Sequence, residues 1–334
     1  MLPKRISTEL CSLLPGQERL TVSVVFTANP ENGVVDDDVW VGKGVIKSSG
    51  RLSYDEVDAV IRGESDVSVQ GITAKDIQEL NDLALKFREA RFGHRVSNMP
   101  PLRLMSQVDD ENVPVENNVF DSSPARELVE ELNNKANFFV ARKLMAAMPD
   151  RAFLRRQIPP NSRRLHNFVD RMNRLGYGMD ATSSGTLQST LSKVSDVEVR
   201  KGMEVLLFKA MQRAKYYVAS TVLDEQRQHY TLNLPVYTHF TNPSRRYSDI
   251  VVHRQLEAIL SNGTIEFTDD LETLNKTAEI CNNKKDSSHN AQEQSVHIEA
   301  CRNMDKERQE LGGDLISEGV VICVYESAFD VLIT

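Results

Sequence analysis

At 334 residues, with a net charge of −8 and a pI of about 5.5, the chain is long enough for one large domain or two smaller ones with a real core. Apolar residues at 40% and charged residues at 26% are ordinary for a globular protein, and the acidic balance excludes a histone-like protein that coats nucleic acid with a wholly basic surface. A local basic channel stays open.

In chain order, Leu20, Val22, Val24 and Phe26 alternate, a turn follows at Pro30–Gly33, and Val39, Val41 and Val45 resume the pattern, which predicts two or three strands. "SYDEVDAVIRG" predicts a helix that begins at Ser53 and stops at Gly63. "TAKDIQELNDLALKFREARFG" predicts an amphipathic helix with Ile77, Leu80, Leu83, Leu85 and Phe87 on its apolar side. "LRLMSQVDDENVPVENNVF" predicts a hairpin that turns at Asp109–Asn112, and the next helix has Ser123 as its cap and Pro124 in its first turn. "SRRLHNFVDRMNRLGYG" and "VRKGMEVLLFKAMQRAKYYVAS" both read as helical. At the end, Val320, Ile322 and Val324 share one parity, and Val331 and Ile333 lie beyond a turn at Glu326–Ala328. That is the first hairpin of a small β-barrel. An open strand edge invites aggregation, so these residues are expected to be a piece of a longer polypeptide. With no internal repeat and no Rossmann or P-loop glycine pattern, the expected class is mixed α/β (α+β), helices dominant.

The cysteines, Cys11, Cys281, Cys301 and Cys323, include no CxxC pair and read as reduced thiols of a cytosolic protein. No apolar run reaches the length of a bilayer span, and "MLPKRISTELCSLLPG" has no signal-peptide core. The expectation is a cytoplasmic chain with no membrane partner. Asp36, Asp37 and Asp38 could hold Mg²⁺, but at the mouth of a hairpin they read as a solvated loop. The histidines never fall at metal-binding spacing, and no GxSxG elbow occurs. The predicted metal set is therefore empty.

The arginines carry more. Arg155, Arg156, Arg163 and Arg164 fall in one Pro-rich stretch, "LRRQIPPNSRRL", read as a loop that serves a polyanion contact and plain solvation equally well. In "YTHFTNPSRRYSDIVVHRQL", Thr241 or Asn242 can cap, Pro243 suits a first turn, and the helix is predicted from about Ser244 to Leu260. Arg245 and Asp249, and Asp249 and His253, then stand at i, i+4. Free amides at the helix start beside the Arg245 or Arg246 guanidinium would hold a phosphate. The spacing fits a structural Arg–Asp pair equally well.

"HFTNPSRRYSDIVVHRQL" resembles the signature of the ribonuclease II / ribonuclease R superfamily, whose RNB domain reads HFTSPIRRYxDLxxHR. "ELVEELNNKANFFVARKL", "FLRRQIPP" and "KAMQRAKY" are similar to further family segments in the same order, and "GVVICVYESAFDVLI" to the first strands of the S1 barrel that follows them. The resemblance implies a partial RNB fold over residues 1–312 and a truncated S1/OB-type barrel from 313 to 334. It implies a fold that threads single-stranded RNA and hydrolyses it from the 3′ end with Mg²⁺. It gives Arg245 the contact near the scissile phosphate, Glu131 the recognition of the terminal ribose, and Glu293 a place beside the RNA end. Asn242, Arg246 and Tyr247 of the signature join the RNA-binding set.

Departures from the family matter as well. The family's acidic metal-binding cluster lies upstream of the matched segment, Asn242 and Ser244 replace the usual Ser and Ile, and Asn133, Asn134 and Lys135 replace an apolar triplet, which suggests relaxed constraint on the channel. "AQEQSVHIEAC" onward looks most like the fungal SSD-type branch, which binds mRNA and represses translation without nuclease activity. The resemblance thus implies single-stranded RNA (mRNA) as partner, no DNA specificity and no cofactor in this chain. The alternative is the C-terminal portion of an active 3′–5′ exoribonuclease, with Mg²⁺ held by the full-length protein.

Overall fold

The alternation at residues 20–26 and 39–45 becomes a hairpin in the computed structural model, which describes residues 2–92 and 123–333. Strands β1 (Glu18–Val25) and β2 (Trp40–Lys47) run antiparallel, with Leu20 opposite Val45 and Val24 opposite Val41. The turn between them needs Gly33: its φ is +68°, and a Cβ there would sit 2.9 Å from Cβ of Lys86. Helix α1 (Tyr54–Ile61) opens with a capping box between Ser53 and Glu56. Helix α2 (Ala74–Phe92) and helix α3 (Pro124–Ala147) follow. The predicted hairpin with its turn at Asp109–Asn112 lies outside the described residues.

Ser123 stands at the cap position of α3, yet its side chain makes no capping bond. The cap comes instead from Asp58 of α1. One Asp58 oxygen accepts the Ala125 amide at 2.8 Å and the other accepts the Ser123 hydroxyl. A buried carboxylate at a helix start satisfies orphan amides and suits the helix dipole.

Beyond α3 come strand β3 (Phe153–Arg156), helices α4 (Ser162–Arg174), α5 (Ser184–Leu191) and α6 (Val197–Phe208), strand β4 (Lys215–Val218), and helices α7 (Tyr247–Leu260) and α8 (Leu271–Leu311). The helix expected to run through "KYYVAS" stops at Phe208. Tyr216, Tyr217 and Val218 pair in antiparallel register with Phe153–Arg155. Aromatic and β-branched side chains buried on both sides favour the strand.

The described residues fall into two units: residues 2–92, 123–158 and 214–279, and residues 159–213 and 280–333. In the first, Phe26 packs at a tilt against Phe87 and Phe139, with centroids at 6.1 and 5.5 Å. α2 and α3 are joined by parallel ion pairs, Arg88–Glu127 at 3.1 Å and Arg91–Glu131. In the second, α4, α5 and α6 close around Phe168, Met172, Leu187, Leu191 and Leu207. Strands β5 (Gly319–Val324) and β6 (Phe329–Ile333) form the expected terminal hairpin, with an irregularity between Val321 and Cys323. Gly202 of α6 lets it approach: a Cβ there would lie 3.3 Å from Ile322.

Candidate functional site

The segment from Tyr237 to Arg246 crosses the core of the first unit before α7 begins. Its backbone lies along β3: the Arg155 amide donates to the Tyr237 carbonyl at 2.9 Å, and the Thr238 hydroxyl to the Phe153 carbonyl at 2.8 Å. The Tyr237 hydroxyl sits between two α3 amides, donating to Asn134 Oδ1 at 3.2 Å and accepting from Asn137 Nδ2 at 2.9 Å. Asn137 Oδ1 also accepts the Phe240 amide at 2.9 Å. His239 is buried, with Nδ1 2.6 Å from the Tyr216 hydroxyl. Burial pushes the Tyr216 phenol up to about 12, and the nearby Arg155 and Arg246 charges oppose that shift. Tyr216 therefore keeps its proton throughout the physiological range.

Helix α7 starts at Tyr247, three residues later than predicted, with Arg246 at the cap position. Asn242 to Arg245 form a turn instead, in which the Arg245 and Arg246 amides both donate to the Asn242 carbonyl at 3.3 and 3.1 Å. The predicted caps, Thr241 and Asn242, lie too far upstream. Asp249 is fully buried, and it accepts the Asn242 amide at 2.8 Å and the Ser248 hydroxyl at 3.1 Å while Arg246 Nε stands 3.2 Å away. The expected Arg245–Asp249 ladder is thus an Arg246–Asp249 pair at i, i+3. Asp249 also supplies the negative charge that the helix start attracts.

Arg245 is half-buried in the preceding turn, its Nε 3.4 Å from Asn242 Oδ1, so it does not belong to the first helical turn. Tyr247 presents its ring to solvent at 59% exposure. His253 stacks on Phe240, centroids 4.6 Å apart, and donates from Nε2 to the Phe240 carbonyl at 2.9 Å. Burial holds its pKa below the ordinary value, against the pull of that carbonyl and of Asp249.

On α3, Glu131 is buried and pairs through Oε1 with Arg91, which also donates to the Leu232 carbonyl at 2.7 Å. Glu131 Oε2 and Asn134 Nδ2, one turn apart, are buried without a hydrogen-bond partner among the described residues. Lys135 lies over the Phe87 ring at 4.6 Å, and burial, together with the Arg91 charge, lowers its pKa. Asn134 and Lys135 are therefore part of the packing of the first unit.

The remaining predicted residues do not form one loop. Arg155 and Arg156 lie on β3, and Arg155 is fully buried with its guanidinium 4.6 Å over the Tyr216 ring. Arg156 reaches the Gln226 carbonyl at 3.2 Å. Arg163 and Arg164 sit in the first turn of α4, in the other unit, where Arg164 donates to the Lys209 carbonyl at 3.0 Å. Strand pairing captured the first pair, and the Asn161 cap made the second pair helical. Glu293 is exposed on α8, also in the second unit, and accepts from His289 at 3.0 Å. Asp36, Asp37 and Asp38 are exposed beyond β1. Among the described residues no three His, Cys, Asp or Glu side chains converge as a metal ion requires. They do not fit a Mg²⁺ centre.

Sequence reasoning missed Asn137, Tyr237, His239 and Arg91. Two asparagines on the core face of a helix, and arginines on α2 spaced to meet Glu127 and Glu131, were the available signals.

Residues 1–262 match the RNB domain family. The chain is 38% identical to the virulence protein SSD1 of Candida albicans, a match that covers all of this chain and 26% of that protein. Among solved structures, yeast Ssd1, a pseudonuclease, superposes with a TM-score of 0.89 at 36% identity, over 99% of this chain and 40% of that one. Mycoplasma genitalium RNase R in complex with ribose-methylated single-stranded RNA shares the fold, with a TM-score of 0.79 at 19% identity over 99% of this chain and 51% of that one. The chain spans about a quarter of the length of the curated relative it matches. On the family match, and on the signature geometry around Asn242, Arg246 and Asp249, the chain belongs to the RNB-domain family.

Proposed function

We propose that this chain binds single-stranded RNA as part of a cytoplasmic, mRNA-binding RNB protein that regulates translation without hydrolysing its ligand. The observation that carries this reading is the likeness to a pseudonuclease over 99% of the chain. Among the described residues no helix is long and apolar enough to cross a membrane.

In this reading Arg245 holds a backbone phosphate by a charged fork, with Asn242 steadying its Nε. Tyr247 offers an open ring face for a base. Glu131 Oε2 accepts a ribose hydroxyl, a donor that deoxyribose lacks at the 2′ position, which gives RNA its advantage over DNA. The strands at 319–333 begin an S1-type barrel. Titration of the chain with a labelled single-stranded RNA and the matching DNA tests the reading. Tighter binding to RNA is expected, and equal affinity for both would overturn the assignment of Glu131.

A further inference from the structure

The second unit carries a groove of about 600 Å³ that none of the family-matched roles uses. Its walls are α4 (Arg164, Asn167, Arg171), the end of α6 (Phe208, Lys209) and the corner of the terminal hairpin (Cys323, Tyr325). Gly202 sets the third wall in place, because it lets Val320 and Ile322 lie against α6. In a chain of net charge −8, three cations converge here. Against them stands Asp330, which is engaged by Lys209 at 3.7 Å and by the Tyr325 hydroxyl at 3.0 Å. Arg171 meets no carboxylate among the described residues; its polar neighbour is the Cys323 thiol at 4.0 Å. The Tyr325 ring is 52% exposed at the groove's edge.

We propose that this groove is a second contact site for single-stranded RNA, outside the unit that carries Arg245, with Arg164, Arg171 and Lys209 on phosphates and Tyr325 stacking on a base. The inference rests on the RNA-binding reading above. Spacing favours a polymer over a lone anion: Arg164 and Arg171 are seven residues apart on one helix face, about 10 Å along the axis. Successive phosphates of a strand can meet both. An exposed aromatic beside a cationic track is the arrangement that holds unstacked bases without reading their sequence. An acidic peptide would use the cations and leave the ring idle.

The test titrates the 334-residue chain with a labelled oligouridylate and with an abasic strand of equal length. The double substitution Arg171→Gln, Lys209→Gln should weaken binding about tenfold and lower the log–log salt slope by about 1.4, about 0.7 for each lost phosphate contact. Arg171→Gln alone, at a residue with no carboxylate partner to lose, repeats half of the slope change if the double variant folds poorly. Tyr325→Leu should weaken the oligouridylate several-fold and leave the abasic strand unchanged. Wild-type affinity and slope in the folded double variant, while Arg245→Lys still weakens RNA, would overturn the groove alone. Failure of the wild-type chain to bind RNA would overturn the functional reading and the groove with it. Loss of polyglutamate binding with RNA binding intact would assign the groove to an acidic protein and overturn the proposal.

Discussion

Arg246 and Asp249 form a buried ion pair across the first turn of α7, 3.2 Å from Nε to Oδ2, with Asp249 wholly shielded from solvent. The same carboxylate fixes the Asn242 amide, so one side chain ties the turn to the helix. Asp249→Asn removes the buried carboxylate beside Arg246 and weakens the acceptor of the Asn242 amide, which should cost about 3–5 kcal/mol. A fall of several degrees in melting temperature is expected, with RNA affinity of the folded fraction unchanged. Arg245→Lys should do the opposite, weakening RNA by about 1–3 kcal/mol while the chain melts as wild type, because an ammonium loses the bidentate fork. Were Arg245→Lys to melt lower and bind normally, the arginine would be a structural clasp.

Asp58 caps a helix that is not its own. Asp58→Ala removes the acceptor for the Ala125 amide and the Ser123 hydroxyl and should cost about 1–3 kcal/mol in thermal or urea unfolding. Ser123→Ala, at the position that looks like the cap in sequence, should cost less. The reverse order would contradict the geometry.

His253 makes stability depend on pH. Its folded pKa lies below its ordinary value of 6.5 because burial disfavours the charged ring. The unfolded chain then binds more protons between the two values, so stability rises with pH through that window. The contribution is fully present above the unfolded value and is lost as pH falls from 6.5 toward the folded one. Melting curves at about pH 7.5 and about pH 5.5 should show a smaller acid loss in His253→Gln than in wild type. Equal losses would remove His253 as the source.

Glu131 should read the sugar. Glu131→Gln keeps the shape but gives up an acceptor and the Arg91 pair. Expected is a lower melting temperature together with a narrowed ratio of ribose-ended to deoxyribose-ended affinity. A lower melting temperature with the ratio intact would confine Glu131 to the α2–α3 ion pair.

Much of this was legible in the sequence, and the failures have physical causes. The Leu20–Val24 alternation, the helix start at Ser53 and the terminal hairpin follow from local pattern alone, and each appears where expected. The α7 start was misplaced because Asn242-Pro243 is equally good at opening a turn and at capping a helix. What decides between them is Asp249, whose buried position is set by tertiary packing. β4 was read as helix because "KYYV" follows a helical run, and only its pairing with β3 reveals the strand. Arg155 looked like a loop cation for the same reason: the sequence shows the charge, not the Tyr216 ring beneath it.

The central claim is binding without hydrolysis, and one gel tests it most directly. End-labelled single-stranded RNA is incubated with rigorously purified chain in Mg²⁺ or Mn²⁺, then split between native and denaturing lanes. The account predicts a shifted band in the native lane and full-length RNA in the denaturing lane at every time point. A ladder of progressively shortened RNA, abolished by chelator, would contradict it.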